Sequence, residues 1–275
     1  MRRHQRSSSI VLSASLLVPL LLLSCRNNTP PAANLDQSSR TIVAVAAAAN
    51  LKFAFDELES EFEQQHPKFD AVITYGSSGH FFAQLTQGAP FDIFFSADAN
   101  FPQQLVERKL ASEDSTFTYA HGRIVVWVRN ESVLDLDRLG LHAVVDPSVR
   151  KIAIANPRLA PYGVAAQQAL NSHGLYEEAR DRFVLGENIT QAAHFVESGA
   201  ADVGILALSL AVAPRMQQNG RFWEIPADAY EPIQQAGVIL NSSSRPQAAE
   251  MFRDFVTGPE GQAILARFGY SSPDE

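Results

Sequence analysis

The chain of 275 residues has one cysteine, so no disulfide can form within it. It has no apolar run long enough to span a bilayer as a folded helix; Ile10 to Leu23 (IVLSASLLVPLLLL) comes nearest and is too short. It has no surplus of positive charge. Its 22 Lys and Arg stand against 30 Asp and Glu, a formal net charge of -8, which argues against nucleic acid as a partner. It has 7 histidines but no pair at the i, i+4 spacing of a helical metal site, His194 with Glu197 being the nearest approach, so no direct metal ligands are assigned. There is no internal repeat, and composition marks no domain boundary.

What is present begins at the N-terminus. MRRHQR is basic, the apolar run follows, and together they form the n-region and h-region of a secretory signal. The run closes on Leu22-Leu23-Ser24-Cys25, which resembles the lipobox of bacterial lipoproteins. That resemblance implies a signal peptide at 1–24, removed before Cys25, and a lipid on Cys25 itself. An ordinary secretory signal with an incidental cysteine is the alternative. Arg26 to Arg40 (RNNTPPAANLDQSSR) has little to bury and reads as a flexible tether, so 25–40 becomes a leash reaching roughly 50 Å when extended. Loss of residues 1–24 removes arginines and no acids, making the remainder still more acidic.

From Thr41 on, about 235 residues remain, enough for two modest domains. TIVAVA (41–46) reads as a buried strand. Leu51, Phe55, Leu58 and Phe62 recur at helical spacing after Asn50, and His66-Pro67 ends the helix. Further strands are expected at 71–75, 91–95, 123–129, 151–155, 182–185, 202–208 and 237–240. Helices are expected at 78–87, 164–172, 189–198, 246–256 and 261–268, with Asn100-Phe101-Pro102 as another helix start capped by Asn100. Alternating strands and helices predict an α/β fold with mostly parallel sheet.

In open α/β sheets, ligands sit beyond the carboxyl ends of the strands, where the next helix begins. Four such junctions share one chemistry: Ala46 to Asn50 with Asn50 as N-cap, Gly76-Ser77-Ser78-Gly79, Asn156 through Tyr162-Gly163, and Gly186-Glu187-Asn188-Ile189. In the last, Gln191 is placed for a capping-box contact back to Asn188. Arg158 is their one basic residue and Glu187 their one acid. A helix start offers unpaired N–H groups and the positive end of the dipole, an anion site without a cationic side chain. Each junction alone is explained by ordinary capping. The set of four together predicts a small tetrahedral oxyanion wrapped in neutral donors.

AAAAN (46–50), GSSG (76–79), GAPFDIFFSAD (88–98), NPRLAPYG (156–163), GAADVGILAL (199–208), YEPIQQAGVI (230–239) and GPEGQAILARFGY (258–270) resemble the periplasmic molybdate-binding proteins, the substrate-binding subunits of ATP-binding-cassette importers. The resemblance runs in order through the whole folded part. It implies a type II periplasmic-binding-protein fold, two α/β lobes with a two-strand hinge. Lobe 1 combines 41–121 with 230–275, and lobe 2 is 122–229. It implies that molybdate or tungstate is held by Asn50, Ser78, Tyr162 and Ile189, with Ala49 and Ser77 beside them. In one branch of the family a tyrosine also donates from the place of Ala207; here the Tyr162 hydroxyl is the expected substitute. The resemblance further implies a permease partner, a periplasmic location tied to the membrane through Cys25, no cofactor beyond the ligand, and a monomer.

Other readings rank lower. A serine hydrolase built on Ser78 and His80 lacks the glycine that a nucleophile elbow requires where His80 stands. A sulfate-like oxyanion or ferric iron could occupy the same fold, iron drawing on Tyr75, Tyr119, Tyr162 or Tyr230. Asp98, paired with Asp92 in FDIFFSAD, is expected to cap or brace rather than to catalyse. Trp127 and Trp223 are expected in core or interface positions, where closure of the lobes would alter their emission.

Overall fold

Strand β1 (Thr41–Ala48) is apolar from Ile42 onward, as befits a strand covered on both faces, and Val43 and Val45 through Ala48 are buried. This and all that follows refer to a computed structural model that describes residues 40–273. Cys25, the signal segment and the rest of the tether lie outside the described residues.

After β1 come α1 (Lys52–Gln65), β2 (Phe69–Gly76), α2 (Ser78–Thr86), β3 (Ile93–Phe95), α3 (Asn100–Glu107) and β4 (Ala111–Gly122). Next are β5 (Ile124–Arg129), α4 (Leu136–Leu139), β6 (Ile152–Ala155), α5 (Pro161–Ser172), α6 (Tyr176–Ala179), β7 (Phe183–Gly186) and α7 (Ile189–Glu197). Then follow β8 (Val203–Ala207), α8 (Leu208–Ala211), α9 (Pro214–Asn219), β9 (Gly220–Glu224), β10 (Ile233–Leu240), α10 (Pro246–Thr257) and α11 (Pro259–Arg267).

The strands form two five-stranded sheets, ordered β2-β1-β3-β10-β4 and β7-β6-β8-β5-β9. Neither is mostly parallel, contrary to the sequence expectation. In each, two strand pairs are parallel and two antiparallel. The antiparallel members are the strands near the passage between sheets. β4 leads through Arg123 into β5, and the chain returns from β9 to β10. Because β4 and β10 pair side by side, from Ile233 opposite Gly122 to Leu240 opposite Ala111, two adjacent strands connect the halves.

Each half has its own packing. In the first, Phe55 meets Phe95 edge-on at 4.9 Å and Phe62 meets Phe252 at 5.1 Å, pairings worth about 0.5–1.5 kcal/mol beyond their burial. In the second, Trp127 is fully buried, and a Cβ on Gly220 of the neighbouring strand would stand 2.1 Å from its ring. Trp127 is therefore a core residue of one half rather than a reporter at the junction.

Two caps differ from expectation. Ala99, not Asn100, precedes α3, and the Asp98 carboxylate two residues upstream of Asn100 accepts the Phe101 N–H at 3.1 Å. Asn50 does not cap α1; it lies inside a short 3-10 turn, Ala49–Leu51, and its side chain turns into the protein.

Candidate functional site

Registers place the four junctions together. Ala48 of β1 pairs with Gly76 of β2, so these two strands end side by side; Ala155 of β6 pairs with Gly186 of β7 in the other sheet. The turns that follow face one another across the cleft around a small void of about 10 Å³, lined by Ala48–Asn50, Gly76–Ser78, Ala97, Ala160–Tyr162, Asn188 and Ile189. No lining residue carries a charge. Two larger grooves elsewhere carry carboxylates, Glu107 and Glu113 in one, Asp98 and Glu231 in the other, and suit an anion less.

The hydrogen bonds around the void separate the two serines. Ser77 is the N-cap of α2, its hydroxyl accepting the His80 N–H at 3.3 Å. Ser78 is 1% exposed, and its hydroxyl oxygen accepts the Ala97 N–H at 3.0 Å, which leaves its own proton for the void. Ser78 and Tyr162 sit in the first turns of α2 and α5, and Ile189 opens α7; N–H groups at such positions have no intrahelical acceptor. Asn188 caps α7 by accepting the Gln191 N–H at 3.0 Å. The Gln191 side chain reaches back to the Glu187 N–H instead of to Asn188, one residue beyond the expected capping-box contact.

Glu187 does not face the void. Its carboxylate stands 3.1 Å from His80 Nδ1 across the mouth of the cleft. That contact engages the ring that a Ser78-based hydrolase would need as its base. Three further contacts bridge the halves: Gly79 N–H to Leu159 O at 2.9 Å, Thr190 Oγ1 to Ala49 O at 3.0 Å, and Ser209 Oγ to Asn50 O at 2.9 Å. They also explain why the GSSG turn is small. A Cβ on Gly79 would lie 2.9 Å from Leu159 O, and one on Gly76 would lie 3.0 Å from the Phe81 ring. Both glycines answer to protein atoms already in place.

Beneath the void lies a buried polar cluster that was not singled out from the sequence. Asn50 Nδ2 is 2.8 Å from Gln235 Oε1 and 2.8 Å from the Tyr270 hydroxyl, which donates to Asn50 O at 2.9 Å. Gln235 Nε2 is 3.1 Å from the Tyr162 hydroxyl, and Tyr119 completes the group. The one signal in the sequence was an amide, Gln235, embedded in the apolar run of β10, where it is fully buried. Burial pushes the phenols of Tyr119, Tyr162 and Tyr270 above their ordinary range, with neighbouring phenols adding to the rise at Tyr119 and Tyr162. All three remain neutral hydroxyls at neutral pH. Ala207, also fully buried, offers no donor. The structure thus brings Asn50, Ser78, Tyr162 and Ile189 to one void with Ala49 and Ser77.

Similarity to known proteins covers nearly all of the described region. The family of bacterial extracellular solute-binding proteins matches residues 43–271. The molybdate-binding protein ModA of Rhodobacter capsulatus is 37% identical over 230 residues, covering 83% of this chain and 87% of that protein. ModA of Azotobacter vinelandii is 35% identical over 229 residues, with 83% and 89% covered. Among solved structures, the periplasmic molybdate-binding protein of Azotobacter vinelandii superimposes with a TM-score of 0.78 at 36% identity, covering 84% of this chain and 99% of that one.

Proposed function

Because this chain belongs to the family of bacterial extracellular solute-binding proteins, we propose that its cleft captures molybdate as the substrate-binding component of an ATP-binding-cassette importer in the periplasm. The observation that carries this is the convergence of four chain turns on one small void with no charged residue in its lining. Desolvating a dianion is costly, and fixed N–H and O–H dipoles that need not reorganise offset that cost. The donors on this reading are the Ser78 hydroxyl and N–H, the N–H groups of Tyr162 and Ile189, and Asn50. Donors alone favour an anion that carries no proton; a protonated phosphate would also require an acceptor. Tungstate, of like charge and shape, is accepted alongside molybdate, and smaller sulfate is discriminated by fit.

The two halves act as lobes, 41–121 with 230–275 and 122–229, that close on the anion. Cys25 carries the lipid that holds the monomeric protein at the membrane beside its permease; LLSC and the polar stretch after it support this. Isothermal titration of the purified chain with molybdate, tungstate, sulfate, phosphate and ferric iron tests the reading. Molybdate and tungstate are expected to bind far more tightly than the others. Tight binding of iron alone, or of no anion, would overturn it.

A further inference from the structure

The buried cluster beneath the cleft contains a fixed number of protons, and counting them orients its amides. Tyr119 has one hydroxyl proton. The Ser96 carbonyl oxygen, 2.7 Å away, can only accept, so that proton goes to Ser96. The 3.1 Å contact between the Tyr119 oxygen and the Gln235 amide then requires the nitrogen of Gln235 to face Tyr119. Terminal amides turn by 180° with their oxygen and nitrogen exchanging places and nothing else moving. With Gln235 so turned, its second N–H meets the Asn50 amide at 2.8 Å, and Asn50 has to accept there with its oxygen. Tyr270, 2.8 Å from the same Asn50 atom, can donate to it, while Ser209 still serves the Asn50 carbonyl at 2.9 Å. At its far end Gln235 takes the Tyr162 proton across 3.1 Å.

The opposite setting leaves Asn50 Oδ1 buried without a partner, a bare acceptor in a residue that lines the void. Turning both amides replaces that acceptor with an N–H₂ group. We propose that Gln235 is a positioning residue: by donating to Tyr119 and Asn50 from the strand that joins the lobes, it turns the Asn50 Nδ2–H₂ toward the cleft as a donor to the bound anion. This rests on the anion-binding reading above. It also assigns the Tyr162 hydroxyl to Gln235. That hydroxyl is wedged so close under the connecting strand β4 that a Cβ on Gly122 would stand 2.3 Å from it. Tyr162 then serves the anion through its backbone N–H, and its phenol ties the second lobe to the hinge.

The test is nuclear magnetic resonance of the uniformly ¹⁵N-labelled full chain in detergent, titrated with molybdate. The side-chain N–H₂ pair of Asn50 is assigned by its loss in Asn50→Ser. It is expected to shift with molybdate together with the backbone amides of Ser78 and Ile189. Movement of those amides with the Asn50 pair unmoved overturns the role of Gln235 and leaves the anion site standing. No movement of any of them overturns both. Gln235→Met, of similar length but unable to donate, is expected to keep a cooperative melt, to lose tenfold or more in molybdate affinity, and to abolish the shift of the Asn50 pair. Wild-type affinity with the shift intact overturns the proposal.

Discussion

Replacing Ser77 with alanine removes the oxygen that accepts the His80 N–H at the start of α2. The expected result is a loss of about 1 kcal/mol in thermal or denaturant unfolding, with molybdate affinity held within about threefold. Ser78→Ala should act differently, because that hydroxyl both accepts from Ala97 and faces the void. An affinity loss of about 1–3 kcal/mol by titration calorimetry is expected; no loss would place the anion elsewhere. The family resemblance set Ser78 apart as the ligand and left Ser77 beside it; residue type alone could not divide them, since capping and ligand donation require the same chemistry. The orientation of Asn50 was equally hidden. Its partners Gln235 and Tyr270 lie 185 and 220 residues away along the chain, beyond the reach of any local pattern.

Helix α2 starts against the loop before α5, and only a glycine at 79 permits the 2.9 Å bond to Leu159. Gly79→Ala is expected to hold that approach open, lowering molybdate affinity while the melting temperature of the ligand-free chain changes little. Calorimetry and a melting curve on the same sample decide it. Helix α3 offers a pH test. Burial raises the Asp98 carboxyl above its ordinary range, against the pull of Phe101 N–H and the Ser96 hydroxyl. The folded chain therefore holds this proton more tightly than the unfolded chain does. Its contribution to stability is present below the unfolded value near 3.8 and is lost as pH rises through the raised folded value. Asp98→Asn retains an acceptor for Phe101, so its stability relative to wild type should rise across that window and level off above it. Apolar strands such as β1, β5 and β8 were legible because continuous burial leaves a continuous hydrophobic run. β4 was not, because ASEDSTFTYAHG is an edge strand with a third of its residues exposed and only a third buried. That one omission also concealed the antiparallel half of the first sheet.

At the scale of the molecule, the site and its surroundings differ in character. The chain is acidic, at -8 overall, yet the void has no cation in its lining. Salt has no ion pair to screen at the site and only repulsion to screen outside it. Raising sodium chloride from 10 to 150 mM, a step of roughly 30 to 8 Å in screening length, should leave molybdate affinity unchanged or slightly improved. A pronounced weakening, as a lysine- or arginine-lined site gives, would contradict neutral capture. The two-lobe plan was legible through ordered family motifs spread along the whole chain, whereas composition alone showed no seam.

The bond from Gly79 to Leu159 joins main-chain atoms only. Thr190 and Ser209 make the other two bridges with their hydroxyls, but the remaining side chains around the cavity can be exchanged, one after another, without touching this main-chain fastening. Cargo preference and the closing movement are thereby free to diverge separately, and a descendant of this protein could change what it carries while still shutting in the same way.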